Sequence, residues 1–451
     1  MTLARWQKAP KQYMYASLLV IVSGAAWYFG NGLTGKYWYL VWLAPIPLLI
    51  HSYEHSKRIS FWLVFAACFL GRLSWLAYLQ TVISTAPALL LTLALAYVFA
   101  RILIWSTTIT HDLNAWYGVF AYPVLMTSFE FLVLTFSPDG TATSLAYTQA
   151  DVVPLIQIAS VTGSLGITFL VSLFPALIGF GWWAYQRNRH WTPYLISTAL
   201  TVYGFSSVYT VYRLSERPSL AGPKVGLVAL DEKRHHRVQQ ATAGQLNRLL
   251  KDYSVAIGSA VAQGSAIVVL PETAIRLSPD TYQLIVASLK GIACHYQVNL
   301  VVGLADFSQA PARNTALVLN AEGEVVTDYT KNHLVRGFEG NFTAGHQVGL
   351  IRLAGQKAGV AICKDLDFPG TIRQYGRASI TSLFVPANDF VVDDWLHSRM
   401  AVLRGVENGF SLVRTARQGR LTISDALGQV LYETSTSTGN RAILVGRLPA
   451  A

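Results

Sequence analysis

Three side chains of complementary chemistry stand at the ends of apolar segments in the second half of the chain. Glu272 closes Val268-Val269-Leu270-Pro271-Glu272-Thr273. Lys331 lies in Tyr329-Thr330-Lys331-Asn332-His333-Leu334, and Cys363 in Gly359-Val360-Ala361-Ile362-Cys363-Lys364-Asp365. A carboxylate beside buried surface gains proton affinity and can act as a general base. An ammonium group fixed in a closed site can stabilise an oxyanion, an effect worth about 3 kcal/mol. A thiol at a turn beside a base and a cation can be activated as a nucleophile. Alone, each residue has a plainer reading: Glu272 as a cap or salt-bridge partner, Lys331 as a solvated cation, Cys363 as a small core residue. Glu339 follows Lys331 by eight residues. Cys294-His295 lacks companions at zinc-site intervals, and three cysteines imply no disulfide framework. The chemistry needs no metal and no organic cofactor.

The elements that must position these residues read as an α/β domain. Lys224 to Leu230, Ala266 to Leu270, Leu300 to Ala305, Ala358 to Cys363 and Leu383 to Pro386 are strand-like. Gln239 to Gln263, Tyr282 to Tyr296 and Asp394 to Gly409 have helical periodicity. Asn314 to Thr330 alternates around Ala321-Glu322-Gly323, a hairpin signal, and Ser411 to Ala416 with a hairpin at Leu427-Gly428 closes the domain. Strands that first alternate with helices and then cluster predict a two-sheet sandwich faced by helices. Glu272, Lys331 and Cys363 each follow a strand, where open α/β sheets hold their sites.

The first 215 residues have another character. Hydrophobic residues make up 52% of the chain, charged residues 13%, and the mean hydropathy is +0.37. Ordinary globular domains carry about 25% charge, so a disordered chain, a fibre and an ordinary cytosolic enzyme are excluded. Apolar runs at about 12–30, 38–54, 59–82, 86–109, 116–136, 154–184 and 192–212 predict seven membrane spans, each near the roughly 20 residues that cross a bilayer core. A soluble bundle would show polar faces, yet Ala88 to Ala100 offers only Thr92 and Tyr97. Arg5, Lys8, Lys11, Lys57, Arg58, Arg187 and Arg189 fall on one side of these spans; Lys36, Asp139 and Asp151 fall on the other. That bias puts the N-terminus inside and everything after residue 215 outside the cytoplasm, in a bacterium on the periplasmic face of the inner membrane. The division expected is a transmembrane domain over 1–215, a linker over 216–223 and a catalytic domain over 224–451. The net charge of +11 is spread over membrane-flanking loops and the second half, which suits anionic lipid surfaces and not nucleic acid. Arg72, Arg101 and Glu130 fall inside the spans, either for function or paired within the bundle.

Glu, Lys and Cys in this order, 59 and 32 residues apart, resemble the catalytic set of the nitrilase superfamily. The likeness continues through Val385-Pro386-Ala387-Asn388-Asp389, Trp395, His397 to Asn408, Arg414-Thr415-Ala416 and Ser424-Asp425-Ala426-Leu427-Gly428. A polytopic membrane domain ahead of such a domain resembles the apolipoprotein N-acyltransferase family, bacterial enzymes that acylate the N-terminal Cys of lipoproteins. Tyr329 to Val335, Glu339 at the place of an auxiliary glutamate, Pro123 to Glu130 and Gly163-Ser164-Leu165-Gly166 carry that second likeness.

The resemblance implies a nitrilase-like α-β-β-α sandwich after an all-α transmembrane bundle of about seven helices. It implies Glu272 as base, Cys363 as nucleophile, and Lys331 with a backbone N–H near Lys364 as oxyanion donors. Glu339 would orient Lys331 or assist proton transfer. Lys364, Asp365, Asn388, Phe338, Phe368 and Trp395 would meet substrate, with Leu366 and Phe342 at an apolar mouth. The implied partners are a phospholipid acyl donor and a lipoprotein or lipopeptide acceptor in the bilayer. The chain departs from the family pattern at Lys364-Asp365, where an aromatic residue and a glutamate are usual. It also departs at Ala229-Leu230-Asp231-Glu232-Lys233-Arg234-His235-His236, and the closing transmembrane helix common in the family is not expected before Ala451.

Two other readings follow from the same residues. A membrane-anchored amidase would pass its acyl group to water and release amine without lipid. A non-catalytic lipid-binding relative would keep the triad as packing and form no thioester.

Overall fold

Each apolar run of the first 215 residues is helical in the computed structural model, which describes residues 3–141, 143–216, 218–230, 243–436 and 441–450, side chains of 3–13 and 243 excepted. The segment Asp231 to His236, the first residues of the helix expected from 239, and Arg217 in the linker lie outside the described residues, as do the side chains of Arg5, Lys8 and Lys11. The chain divides into two compact units, residues 1–137 with 143–212, and residues 138–142 with 213–451.

In the first unit the helices are α1 (Leu3–Gly30), α2 (Pro45–Glu54), α3 (Lys57–Arg72), α4 (Thr85–Leu113), α5 (Ala121–Phe136), α6 (Ser164–Gln186) and α7 (Thr192–Ser215). Among the described residues, four stretches are long and apolar enough to cross a membrane: Lys57–Val82, Thr85–Leu113, Trp116–Phe136 and Ser164–Gln186. Seven spans were expected, and the difference has local causes. Pro45 opens a new helix and splits the second run into pieces of four and ten residues. Gly163, at φ +65°, cuts short turns away from α6. Helix α7 has the length but is interrupted by Thr, Ser and Tyr along its course. Two of the charges inside the spans are satisfied locally. Glu130 accepts hydrogen bonds from Thr168 Oγ1 (2.6 Å), Leu145 N (2.6 Å) and Ser144 Oγ (2.9 Å). The buried Arg72 guanidinium lies over the rings of Phe99 and Trp75.

The second unit is a four-layer sandwich. Its first sheet has the order β13-β1-β2-β4-β5-β6, with β3 beside β4; its second has the order β12-β11-β10-β9-β8-β7. The first sheet contains β1 (Lys224–Ala229), β2 (Ile267–Val269), β3 (Ile275–Leu277), β4 (Asn299–Asp306), β5 (Arg313–Leu319), β6 (Val325–Thr330) and β13 (Ala442–Arg447). The second contains β7 (Gly349–Leu353), β8 (Gln356–Val360), β9 (Ser382–Asn388), β10 (Ser411–Arg417), β11 (Arg420–Ser424) and β12 (Val430–Ser435). Side chains alternate across a strand, and β4 uses both faces. Leu300, Val302 and Leu304 pack with α8 (Ala243–Val261) and α9 (Tyr282–Tyr296). Val301 points the other way, into the layer between the sheets with Ile267, Tyr329, Val360, Phe384 and Val413. Leu383 and Val385 on β9 face α10 (Pro369–Arg377) and α11 (Asp394–Asn408). This double burial explains why these strands read as continuous apolar runs.

One glycine sets the position of a chemically important loop. A Cβ on Gly303, in the middle of β4, would lie 2.2 Å from Pro271 O and 2.6 Å from Glu272 Cα. Only a bare backbone lets the Pro271–Glu272 turn lie on the strand. Gly303→Ala is expected to force that turn away and to destabilise the protein by about 1–3 kcal/mol, the usual effect of overpacking. Thermal unfolding of the detergent-solubilised chain reads this, and an unchanged melting temperature would contradict the close approach.

Candidate active site

Pro271 ends the ladder of β2, since it has no N–H to donate. Glu272 then turns inward while its own N–H donates to Ala387 O (3.3 Å), and Thr273 behind it takes φ +48°. Lys331 follows β6. Its backbone N donates to Asn314 O (2.9 Å), its carbonyl accepts from Gly345 N (2.8 Å), and its side chain is 1% exposed. The ammonium group donates to Glu272 Oε1 (2.7 Å) and to Glu339 Oε2 (2.8 Å). Glu339 Oε2 also accepts from Val335 N (2.6 Å), so this carboxylate closes its own loop.

Asn314 completes the set and was not anticipated from the sequence. Its Nδ2 donates to Glu272 Oε1 (2.7 Å) and to Glu339 Oε1 (2.6 Å). The available signal was a fully buried amide in the otherwise apolar strand β5, because buried polar groups are held by hydrogen bonds.

Cys363 opens a short 3₁₀ turn, Cys363–Asp367, directly after β8, and its φ is +42°. A left-handed conformation costs a residue with a Cβ roughly 1–2 kcal/mol, so the surroundings must impose it. Asp365 does this from inside. Its Oδ2 accepts from Tyr329 Oη (2.8 Å) and Ile362 N (2.9 Å); its Oδ1 accepts from His333 N (2.9 Å) and Asn332 N (3.1 Å). The same carboxylate therefore fastens the nucleophile turn to the residues that follow Lys331. The half-buried thiol donates to Asn388 O at 3.6 Å.

Several expected substrate contacts occupy other positions. Asp365 is fully buried and engaged by backbone donors, so it faces away from substrate. Asn388 offers its carbonyl to the thiol, while its side-chain Oδ1 accepts from Arg417 Nε (3.3 Å). Trp395 and Leu366 are buried and do not line a mouth. Lys364 is paired with Asp139 (2.8 Å). Phe368 stacks on His333 with ring centroids 3.8 Å apart, and Phe342 meets Phe307. Phe338 stays exposed, its ring tilted against Phe390.

The electrostatics follow from burial. Burial raises the Glu272 pKa, Lys331 draws it back and Glu339 raises it again, leaving it above the usual carboxylate range. Burial works against the Lys331 ammonium, but Glu272, Cys363 and Glu339 outweigh it and hold its pKa above the ordinary lysine value. Burial, reinforced by Glu272, pushes the Cys363 thiol well above its ordinary value, with Lys331 opposing. The resting thiol is neutral, with a base and a cation close enough to perturb it. No group of three His, Cys, Asp or Glu among the described residues is arranged to hold a metal ion.

Two protein families match separate parts of the chain. The Carbon-nitrogen hydrolase family matches residues 229–449, and the Apolipoprotein N-acyltransferase N-terminal domain matches residues 23–177. An apolipoprotein N-acyltransferase from Geobacter metallireducens is 26% identical over 437 residues, covering 87% of this chain and 82% of that protein. The Bradyrhizobium diazoefficiens protein of the same name is 25% identical over 350 residues, covering 68% of this chain and 63% of its own length. A deaminated glutathione amidase from Synechocystis is 26% identical over 240 residues, 45% of this chain, so the amidases are distant relatives of one part only. The chain is a membrane acyltransferase with a nitrilase-fold domain, and it belongs to the apolipoprotein N-acyltransferase family.

Proposed function

We propose that this enzyme moves a fatty acyl chain from a phospholipid to the α-amine of a diacylglyceryl-cysteine at the N-terminus of a lipoprotein, by way of a thioester on Cys363. The observation that carries this reading is the closed set Glu272–Lys331–Glu339 beside a neutral thiol. Glu272 takes the Sγ proton as the sulfur attacks the ester carbonyl. The new negative charge on the carbonyl oxygen meets Lys331 and a backbone N–H of the Cys363–Asp367 turn. The tetrahedral adduct expels the glycerol oxygen, which receives the proton from Glu272, and a lysophospholipid leaves. The acceptor amine then attacks the thioester, gives its proton to Glu272, and the sulfur departs to be protonated again. Dividing the transfer into two steps gives ping-pong kinetics. Glu339 orients Lys331 in both halves. The reading puts the catalytic unit on the outer face of the bacterial inner membrane, in line with the basic residues of the short loops.

Intact mass after incubation with phospholipid tests the donor half. One acyl adduct is expected, removed by hydroxylamine and absent from Cys363→Ala. Protein that stays unmodified with every diacyl lipid, yet releases amine from small amides, would overturn the reading. Lys331→Ala should abolish the adduct; acylation at the wild-type rate would remove that residue from the oxyanion role.

The pH dependence has a definite sign. Glu272 accepts a proton only when ionised, so acylation falls as pH drops through its pKa. Because that pKa is raised, the acid limb of the single-turnover rate should lie above the ordinary glutamate value near ~4.3. A limb at or below that value would contradict the buried base.

A further inference from the structure

The nucleophile turn is gripped from a second side by residues that lie far away in sequence. Residues 138–142 follow α5 in the chain but belong to the compact unit of the sandwich. Asp139 Oδ1 accepts from Lys364 Nζ at 2.8 Å, across 225 positions of sequence. Thr141 donates twice to Asp367 O, from its N (2.9 Å) and from its Oγ1 (3.1 Å). Arg404, fully buried on α11, donates to Thr141 Oγ1 at 3.3 Å. Gly140 between them takes φ +57°, and a Cβ there would lie 2.2 Å from Asp367 O. Three consecutive residues thus hold the second and the last residue of the turn that begins with Cys363.

We propose that Asp139 and Thr141 are positioning residues for the reaction, holding the backbone that follows Cys363 in the geometry the oxyanion requires. The argument rests on the acyl-thioester reading above. Asp365 fixes the turn from within, but its four backbone and phenol donors all lie on the inner side. The outer side, which carries Lys364, is fastened by the 139–141 strap. Cys363 is held at a positive φ, and a strained residue keeps that conformation only while its surroundings over-determine it. Releasing the strap lets the turn relax. A misplacement of roughly 1 Å can cost about 100-fold in rate. Asp139 is 59% exposed and Lys364 10%, so their attraction is screened by salt and adds little to global stability. Its effect is local.

The experiment measures single-turnover acylation of Cys363 in the full-length solubilised enzyme with two donors. One is a diacyl phospholipid, read by mass. The other is p-nitrophenyl butyrate, read as a burst of nitrophenolate that needs the thiol and the oxyanion donors but no lipid. Asp139→Asn is expected to slow both reactions about tenfold at saturating donor, with half-saturation concentrations within about twofold and melting temperature nearly unchanged. Rising salt should slow the wild type toward the variant and leave the variant unmoved. Joint exchange of the pair, Asp139→Lys with Lys364→Asp, should recover most of the rate. Gly140→Ala should lose more than Asp139→Asn. The proposal is overturned if Asp139→Asn reacts at the wild-type rate, or if its loss of rate merely follows loss of folded protein. A wild type that reacts with the ester but not with phospholipid sinks the donor assignment and still tests the strap. A wild type inert to both overturns the nucleophile reading and the strap with it.

Discussion

A single buried ammonium group organises this site. Lys331 has almost no contact with water, and its charge is divided between Glu272 and Glu339. An isolated charge could not be tolerated there, and removing one partner from such a pair typically costs about 3–5 kcal/mol. The three groups together carry one net negative charge, which discourages a second anion on the neighbouring sulfur. The thiol therefore keeps its proton until Glu272 can take it. Once it does, Glu272 becomes neutral and Lys331 is left to oppose the charge that moves to sulfur and then to the carbonyl oxygen. Base and oxyanion donor are two states of one hydrogen-bonded unit.

The sandwich exists in the form it does to bring that unit to the sulfur. Glu272 comes from the end of β2, Lys331 from the end of β6, and Cys363 from the end of β8 in the other sheet. The apolar layer between the sheets sets the separation of these ends, and two polar clamps set their angles. Asn314 locks the two carboxylates from β5. Asp365 locks the nucleophile turn to the turn after Lys331. Both positively twisted residues, Thr273 and Cys363, neighbour the reacting groups, in keeping with strain concentrated where function needs it.

Much of this was legible in the sequence. Long apolar runs gave the helices, and buried strands such as 300–305 were plain because both of their faces are covered. The parts that escaped have physical reasons. Strand β3 has three residues, β7 alternates buried and exposed positions beside Arg352, and β13 joins the sheet only by pairing with β1. The second apolar run looked continuous because hydropathy does not register that Pro45 begins a new helix. Asp365 was read as a substrate contact because a sequence does not show which way a side chain points at a positive-φ turn. The partners of Lys364 and Asp367 lie more than 200 residues away, and nothing local marks Asp139 or Thr141 as theirs.

The membrane half decides between chemistries that the sandwich alone leaves equivalent. An amidase and an acyltransferase can share the same base, cation and sulfur; apolar helices ahead of the site favour a donor drawn from lipid. The claim under all of this is that the resting sulfur is protonated and that its proton goes to Glu272. The far-ultraviolet thiolate band, taken as the difference between wild type and Cys363→Ser, tests it most directly. The account predicts no thiolate absorbance from Cys363 near neutral pH. A full thiolate band there would mean a standing sulfur–lysine ion pair, and would leave Glu272 with no proton to remove.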